Sequence, residues 1–255
     1  MNKEIISVIL PVYNGSASLR DTINSVLNQT FKDFKLYICN DCSNDNSEKI
    51  VKSFNSKKIH YIKNEKNLGL SKTRKKILNL TEGNFIAFID QDDIWIENKL
   101  EIQIKKIRQE KSVMCHTDYV FEHKELKINK ILKSKNKIFY KDLITGSSVG
   151  ASTVLFDKKK SLFTNKFRDD RYFDSINDYI IWLHLLRPAK NNFYSIRVEQ
   201  PLVRYSWHGK NLSRNKLKQL VKHFIIMRDV EKFSLSSCIY LSIVNLIQKT
   251  YFYLK

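Results

Sequence analysis

The chain has 255 residues, 42% hydrophobic and 28% charged, with only 6 Gly and 3 Pro; that excludes a disordered or loop-dominated chain and allows one sizeable core. Lys and Arg total 45 against 26 Asp and Glu, a formal net charge of +19, which calls for an anionic partner or for a Lys-rich surface that merely solvates the fold. The excess is uneven, because residues 201–255 carry 10 basic and 2 acidic side chains, and it leaves nucleic acid, an acidic membrane surface or an anionic acceptor as candidate partners.

The first hundred residues alternate between strand and helix patterns. Ile5–Val12 is a β-branched run ending at Pro11 and Asn14. Ser18–Asn28 reads as a helix, with Ser18 as N-cap, Asp21 three residues on, and Leu19, Ile23, Val26 and Leu27 on one face. Leu36–Asn40 and Ile59–Lys63 read as strands, Ser47–Phe54 and Leu70–Leu80 as helices, and Phe85–Asp90 as a continuous apolar strand. Strands and helices alternating at this length imply βαβ units, a mainly parallel sheet and cover on both faces. Glu97–Glu110 continues as a helix and Val113–Phe121 as a strand, and Glu122–Lys141 reads as an exposed Lys-rich hairpin or loop. Tyr179–Leu186 reads as a buried helix ended by Pro188, and residues 216–233 as an amphipathic helix with lysines opposite its apolar face. Leu235–Ile247 is a second apolar helix, too short at that length to span a bilayer.

Cys39, Cys42, Cys115 and Cys238 form no disulfide framework, and the C-x-x-C of Cys39 and Cys42 lacks a second pair that would complete a zinc site. With no secretory signal recognisable at the start, the sequence reads as cytoplasmic.

Carboxylates collect where strands end. Asp41 follows Leu36–Asn40, and Asp90, Asp92 and Asp93 follow Phe85–Ile89. In open α/β sheets ligands bind outside the carboxyl ends of the strands, so both clusters would face one crevice. An Asp-x-Asp there offers hard oxygen ligands suited to Mn2+ or Mg2+. Alone, the same residues read equally well as an acidic turn capping the next helix. Asp41 alone reads as an Asx-turn residue, Asp178 as an N-cap, and Arg74 and His208 as solvated side chains.

The wider constellation carries more. Val8-Ile9-Leu10-Pro11-Val12-Tyr13-Asn14 is followed by Asn40-Asp41-Cys42-Ser43-Asn44-Asp45, then by Asn67-Leu68-Gly69 with Arg74. Phe88-Ile89-Asp90-Gln91-Asp92-Asp93 comes next, then Asn177-Asp178-Tyr179 with Trp182, and last Arg204-Tyr205-Ser206-Trp207-His208. As an ordered set these segments resemble the family 2 glycosyltransferases over roughly residues 4–214. The resemblance implies a GT-A fold, an α/β, Rossmann-like, mainly parallel sheet flanked by helices. It makes residues 1–214 the catalytic domain and leaves 215–255 as a basic amphipathic helical extension. It implies an inverting enzyme moving a sugar from a UDP-sugar to a glycan or lipid-linked acceptor hydroxyl in bacterial surface polysaccharide or lipooligosaccharide synthesis, with Mn2+ or Mg2+ as cofactor.

The resemblance also distributes roles. Pro11, Tyr13 and Asn14 match the loop that contacts the nucleotide, and Asp41 matches the acid that reads the base. A carboxylate accepts the imide N–H of uracil, whereas cytosine has no such donor. Arg74 matches a basic residue near the nucleotide, Asp90 a residue near the ribose, Asp92 the metal ligand, Asp178 the catalytic base, and His208 a late residue approaching the metal or diphosphate. Asn177 stands where the family's acidic residue is usual, and Cys42 where Gly is frequent. The rivals are a basic nucleic-acid-binding protein, disfavoured because no recognition motif is present, and an inactive scaffold, disfavoured because the expected carboxylates are all there. The basic, apolar C-terminal helices imply peripheral attachment at the inner face of the cell membrane, or packing on the catalytic domain or in a homodimer.

Overall fold

The computed structural model describes residues 5–123, 127–146, 149–161, 164, 171–187, 193–207 and 216–254. His208 lies outside the described residues, as does Pro188. One sheet runs through the molecule in the order β3-β2-β1-β4-β9-β6-β10-β5. Its first half is parallel: β1 (Ile6–Val12) lies between β2 (Phe34–Asn40) and β4 (Phe85–Phe88), with β3 (Ile59–Lys63) outside β2. Its second half is mixed. Antiparallel β9 (Val154–Asp157) joins β4 to β6 (Met114–His123), and β10 (Tyr194–Trp207) runs parallel to β6 and pairs with the short β5 (Ile94–Trp95).

The strand residues alternate between two cores, as period-two side-chain geometry requires. Val8, Leu10, Leu36, Ile38 and Ala87 face α1 (Leu19–Leu27), α2 (Ser47–Lys52) and α4 (Lys99–Glu110). Ile9, Tyr37, Cys39, Ile86 and Phe88 face α3 (Leu70–Leu80) and α6 (Asn177–Leu186). The second core also takes Ile226, Met227, Cys238 and Leu241. These come from the C-terminal hairpin of α7 (Lys216–Ile225), a π-helical turn at Ile226–Val230, and α8 (Leu235–Leu254). The last forty residues therefore share a core with the sheet, α3 and α6.

Several elements differ from their sequence patterns. Ser18 occupies the N-cap position of α1 but makes no side-chain cap; its hydroxyl donates to the Gln91 carbonyl at 2.9 Å. β4 stops at Phe88, which releases Asp90 into a turn. The Lys-rich stretch does form a hairpin strand, β7 (Ile128–Leu132), on β6, and then continues into β8 (Lys137–Phe139) and α5 (Tyr140–Ile144). α8 runs to Leu254, seven residues beyond its expected end at Ile247.

Pro11 sits in a central strand without breaking it. Ile9 directs its carbonyl to β4, accepting the Ile89 N–H at 3.0 Å, so by alternation the missing N–H of Pro11 lies on the same side, past the last β1–β4 pair. A proline is tolerated where no ladder partner remains.

Candidate active site

From β1 the chain passes outward through β2 and β3, then returns to β4 on the other side of β1. A crevice opens at such a reversal, outside the carboxyl ends of the strands. The loops after β1 and β4 meet across it. The Gln91 amide bridges them, accepting the Tyr13 N–H at 2.9 Å and donating to the Tyr13 carbonyl at 3.0 Å. Gly15 lies under this bridge, and a Cβ there would fall 2.5 Å from the Gln91 Oε1. Tyr13 itself stays 46% exposed at the rim.

The loops after β1 and β2 are stitched together as well. Asn14 adopts φ 50° and Cys42 φ 60°, left-handed conformations that Gly enters without strain and Asn tolerates. That explains why glycine is frequent at the position Cys42 fills. The Asn14 N–H donates to Ser43 Oγ at 3.0 Å, and Asn14 Oδ1 accepts the Asn44 N–H at 2.8 Å. Asp45 accepts the N–H groups of Ser16 and Ser47. Burial pushes its carboxyl up, but hydrogen bonds from Ser47 and Ser16 outweigh it and hold the pKa at about 2.

Asp41 is buried at the end of β2. Its Oδ1 accepts from Asn64 Nδ2 and the Leu68 N–H, both at 2.8 Å, and its Oδ2 accepts the Gly69 N–H at 2.9 Å. Asp41 thereby fixes the loop that starts α3, where Gly69 takes φ 88°. A carboxylate oxygen accepts about two hydrogen bonds, so Oδ2 retains capacity for one further donor.

Arg74, on α3, is buried, and its Nη2 donates to Asp90 Oδ1 at 2.5 Å with the guanidinium 5.8 Å from the Phe88 ring centroid. Its Nε has no hydrogen-bond partner among the described residues. Asp178 is half-buried near the start of α6. Burial raises its carboxyl above the ordinary range; the Arg74 charge opposes this and the Asp90 charge adds to it. Asp90, Arg74 and Asp178 therefore form one electrostatic group. Asp174, four residues earlier, serves a different purpose, with its two oxygens accepting the Leu70 and Ser71 N–H groups at 3.1 and 2.8 Å. It caps α3 and so orients Arg74.

The acidic run after β4 divides. Asp90 and Asp92 stay partly exposed, whereas Asp93 turns inward and is 1% exposed, correcting the expectation that all three face the crevice. Its carboxylate accepts from Ser152 Oγ at 2.5 Å and from the Ser206 N–H at 3.3 Å. Ser152 also accepts the Asp90 N–H at 3.0 Å, and the Trp95 indole fixes the Ser152 carbonyl at 2.8 Å. Burial, then the charges of Asp90 and Asp92, raise Asp93 well above the usual carboxylate range. A raised folded pKa makes ionisation cost stability as pH climbs from about 3.9 through the folded value. Asp93→Asn removes that cost, so its stability relative to the parent should increase with pH. Urea denaturation at acidic and neutral pH checks this, and an equal loss at both would show a structural need for the carboxylate.

Gln91 and Ser43 lie inside the motifs but receive no role there, and Asn64 and Ser152 carry no signal of their own in the sequence. Each acts through a partner at least 23 residues away.

The family model for Glycosyl transferase family 2 matches residues 7–163, a span that contains the crevice loops, Arg74 and the Asp90–Asp93 turn. The chain belongs to glycosyl transferase family 2. This family 2 chain is 31% identical over 241 residues to the UDP-Glc:alpha-D-GlcNAc-diphosphoundecaprenol beta-1,3-glucosyltransferase WfgD of Escherichia coli, covering 94% of this chain and 92% of that protein. It is 28% identical to the putative teichuronic acid biosynthesis glycosyltransferase TuaG of Bacillus subtilis, covering 90% of each. The crystal structure of S. aureus TarS 1-349 in complex with UDP superposes with a TM-score of 0.70 at 18% identity, covering 94% of this chain and 70% of that one. Its match establishes the GT-A fold for this family 2 glycosyltransferase.

Proposed function

We propose that this glycosyltransferase moves a sugar from a UDP-sugar to a hydroxyl of a lipid-linked glycan acceptor, with inversion, in the assembly of a bacterial surface polysaccharide. The observation that carries the reading is the grouping of Asp178 with Arg74 and Asp90 at the crevice, which sets a carboxylate of raised pKa beside an acidic turn and a buried cation. Asp178 takes the proton from the acceptor hydroxyl as that oxygen attacks the anomeric carbon and the bond to the diphosphate breaks. Attack opposite the leaving group inverts the configuration. A lipid-linked acceptor is supported by the diphosphoundecaprenol named for WfgD, and a surface polysaccharide product by the teichuronic acid named for TuaG.

Pro11, Tyr13 and Asn14 line the nucleotide loop in this reading, with the Tyr13 ring free to lie along a base. Asp41 reads uracil through the remaining capacity of Oδ2, its orientation set by three protein donors. Asp90 lies beside the ribose and Asp92 holds Mn2+ or Mg2+. The acidic turn fits such a cation, because its ligands are hard oxygens and the charges of Asp90 and Asp92 already act on Asp93. When bound, the cation would neutralise the departing diphosphate as a Lewis acid. His208 keeps its assignment from the resemblance, approaching the metal or diphosphate.

UDP should compete with UDP-sugar about tenfold or more better than CDP, whose cytosine lacks the N–H that Asp41 would accept, as one charge-assisted hydrogen bond allows. Competition in a transfer assay tests this, and equal inhibition by UDP and CDP would remove the base-reading role of Asp41.

A further inference from the structure

We propose that the outward face of α7 and α8 docks on an anionic lipid surface. α8 is built inside out. The side turned to the protein carries Cys238, Leu241, Ser242 and Asn245, at most 8% exposed. The side turned outward carries Leu235, Ile239, Tyr240, Ile243, Leu246 and Ile247, each 39–66% exposed. Both sets recur every three or four residues, so each is one face of the helix. A surface helix of a soluble fold normally shows the reverse polarity, and a contiguous exposed apolar stripe marks an interaction site.

The orientation is held. His223 Nδ1 lies 3.1 Å from Ser242 Oγ on the inner face. Gly146, at φ 120°, lets the α8 backbone approach so closely that a Cβ there would lie 3.0 Å from the Asn245 Cα. Rotating α8 to bury its isoleucines would break both contacts. α7 adds Leu217, 71% exposed, and Val221, 46% exposed, one turn apart.

Charge selects the occupant. Residues 216–255 contain seven Lys and Arg against Asp229 and Glu231. Glu231 is consumed inside the fold, its side chain only 2% exposed and bound by Arg187 and Tyr140. Lys218, Arg228 and Lys232 are exposed, so the outward charge is mostly positive. A second copy would bring an equally basic segment against this one, and like charges repel. Anionic headgroups complement the lysines while acyl chains take the isoleucines, the combination by which helices lie in a bilayer interface. No helix among the described residues is long and apolar enough to cross a membrane, so α8 would lie along the surface. The inference rests on the proposed lipid-linked acceptor only for its purpose, which is to bring the crevice to a substrate confined to the bilayer.

Full-length protein should co-sediment at low salt with vesicles of phosphatidylcholine containing phosphatidylglycerol, and not with phosphatidylcholine alone. Ile239→Glu with Ile243→Glu should lower partitioning by about tenfold or more. Lys218→Ala with Lys232→Ala should lower it by about fivefold per charge and flatten its salt dependence. Thermal melts report folding of each variant, and UDP titration reports the donor site separately. Vesicle binding without UDP binding would sink the donor assignment and leave docking standing. Indifference to anionic vesicles, equal binding to neutral ones, or wild-type binding by the glutamate variant overturns docking. So does a dimer in sedimentation velocity that Ile239→Glu dissociates, which would assign the face to self-association.

Discussion

Asp178→Asn should lower sugar transfer by about 10²–10⁴-fold, the loss typical of removing a general base, while UDP-sugar binding persists. The amide keeps the volume of the carboxyl at the head of α6 and cannot accept the acceptor proton. Stability should not fall with it, because an ionised Asp178 is already penalised by burial, with the Asp90 charge adding to the cost and Arg74 only offsetting it. The neutral amide avoids that cost.

The same environment sets the pH profile. A base must be ionised to work, and its pKa is raised by burial above the ordinary value of about 3.9. The acidic limb of kcat/KM should therefore lie above the usual carboxylate range and disappear in the variant. For stability the sign is opposite. The folded state holds the Asp178 proton more tightly than the unfolded state does, so this group lowers stability as pH rises through the window between its unfolded and folded pKa values. Initial rates and urea midpoints across that window separate the two effects. Near-normal transfer by the variant would remove Asp178 from the chemistry. Asp174 is no substitute, because its two oxygens hold the start of α3.

Sequence reasoning succeeded where local pattern and tertiary demand agree. Ile59–Lys63 and Leu70–Leu80 form over the expected residues, the second because Gly69 can take the positive φ that opens α3. It failed where the deciding partner is remote. Three carboxylates in four residues look alike, and the one that turns inward is chosen by Ser152 and Ser206, 59 and 113 residues away. β10 escaped notice because its pairing with β6 shifts register around Pro201, which blurs the alternation a strand normally shows. α8 reads as an apolar helix for a membrane surface, the body or a second copy alike, and the side it buries is the one with Cys238, Leu241, Ser242 and Asn245. Periodicity locates a face and does not say which way it points. The ordered motifs exposed most of the crevice because they lie in loops anchored to strand ends. Its interior wiring through Asn64 and Ser152 has no local signature, and the bridge from Gln91 to Tyr13 shows only in three dimensions.

Asp92→Asn should abolish metal-supported transfer, a loss of about 10²-fold or more given that Lewis-acid stabilisation of a leaving diphosphate contributes several kcal/mol. Among the described residues no three His, Cys, Asp or Glu side chains converge to form a complete cation cage. In the proposed reading the protein supplies few ligands, and the diphosphate and water supply the rest, as Mg2+ and Mn2+ accept. Arg74 holds one Asp90 oxygen at 2.5 Å, and in the proposed reading Asp90 lies beside the ribose while Asp92 takes the metal. Binding and chemistry should therefore separate between the two carboxylate variants. Asp178→Asn keeps the Mn2+-dependent gain in UDP affinity, whereas Asp92→Asn binds UDP equally with and without Mn2+. Calorimetric titration of UDP in Mn2+ and in chelator reads this without any acceptor. Full-rate transfer by chelator-treated parent protein, or an intact Mn2+ effect on UDP binding in Asp92→Asn, would place the cation elsewhere or remove it from the reaction.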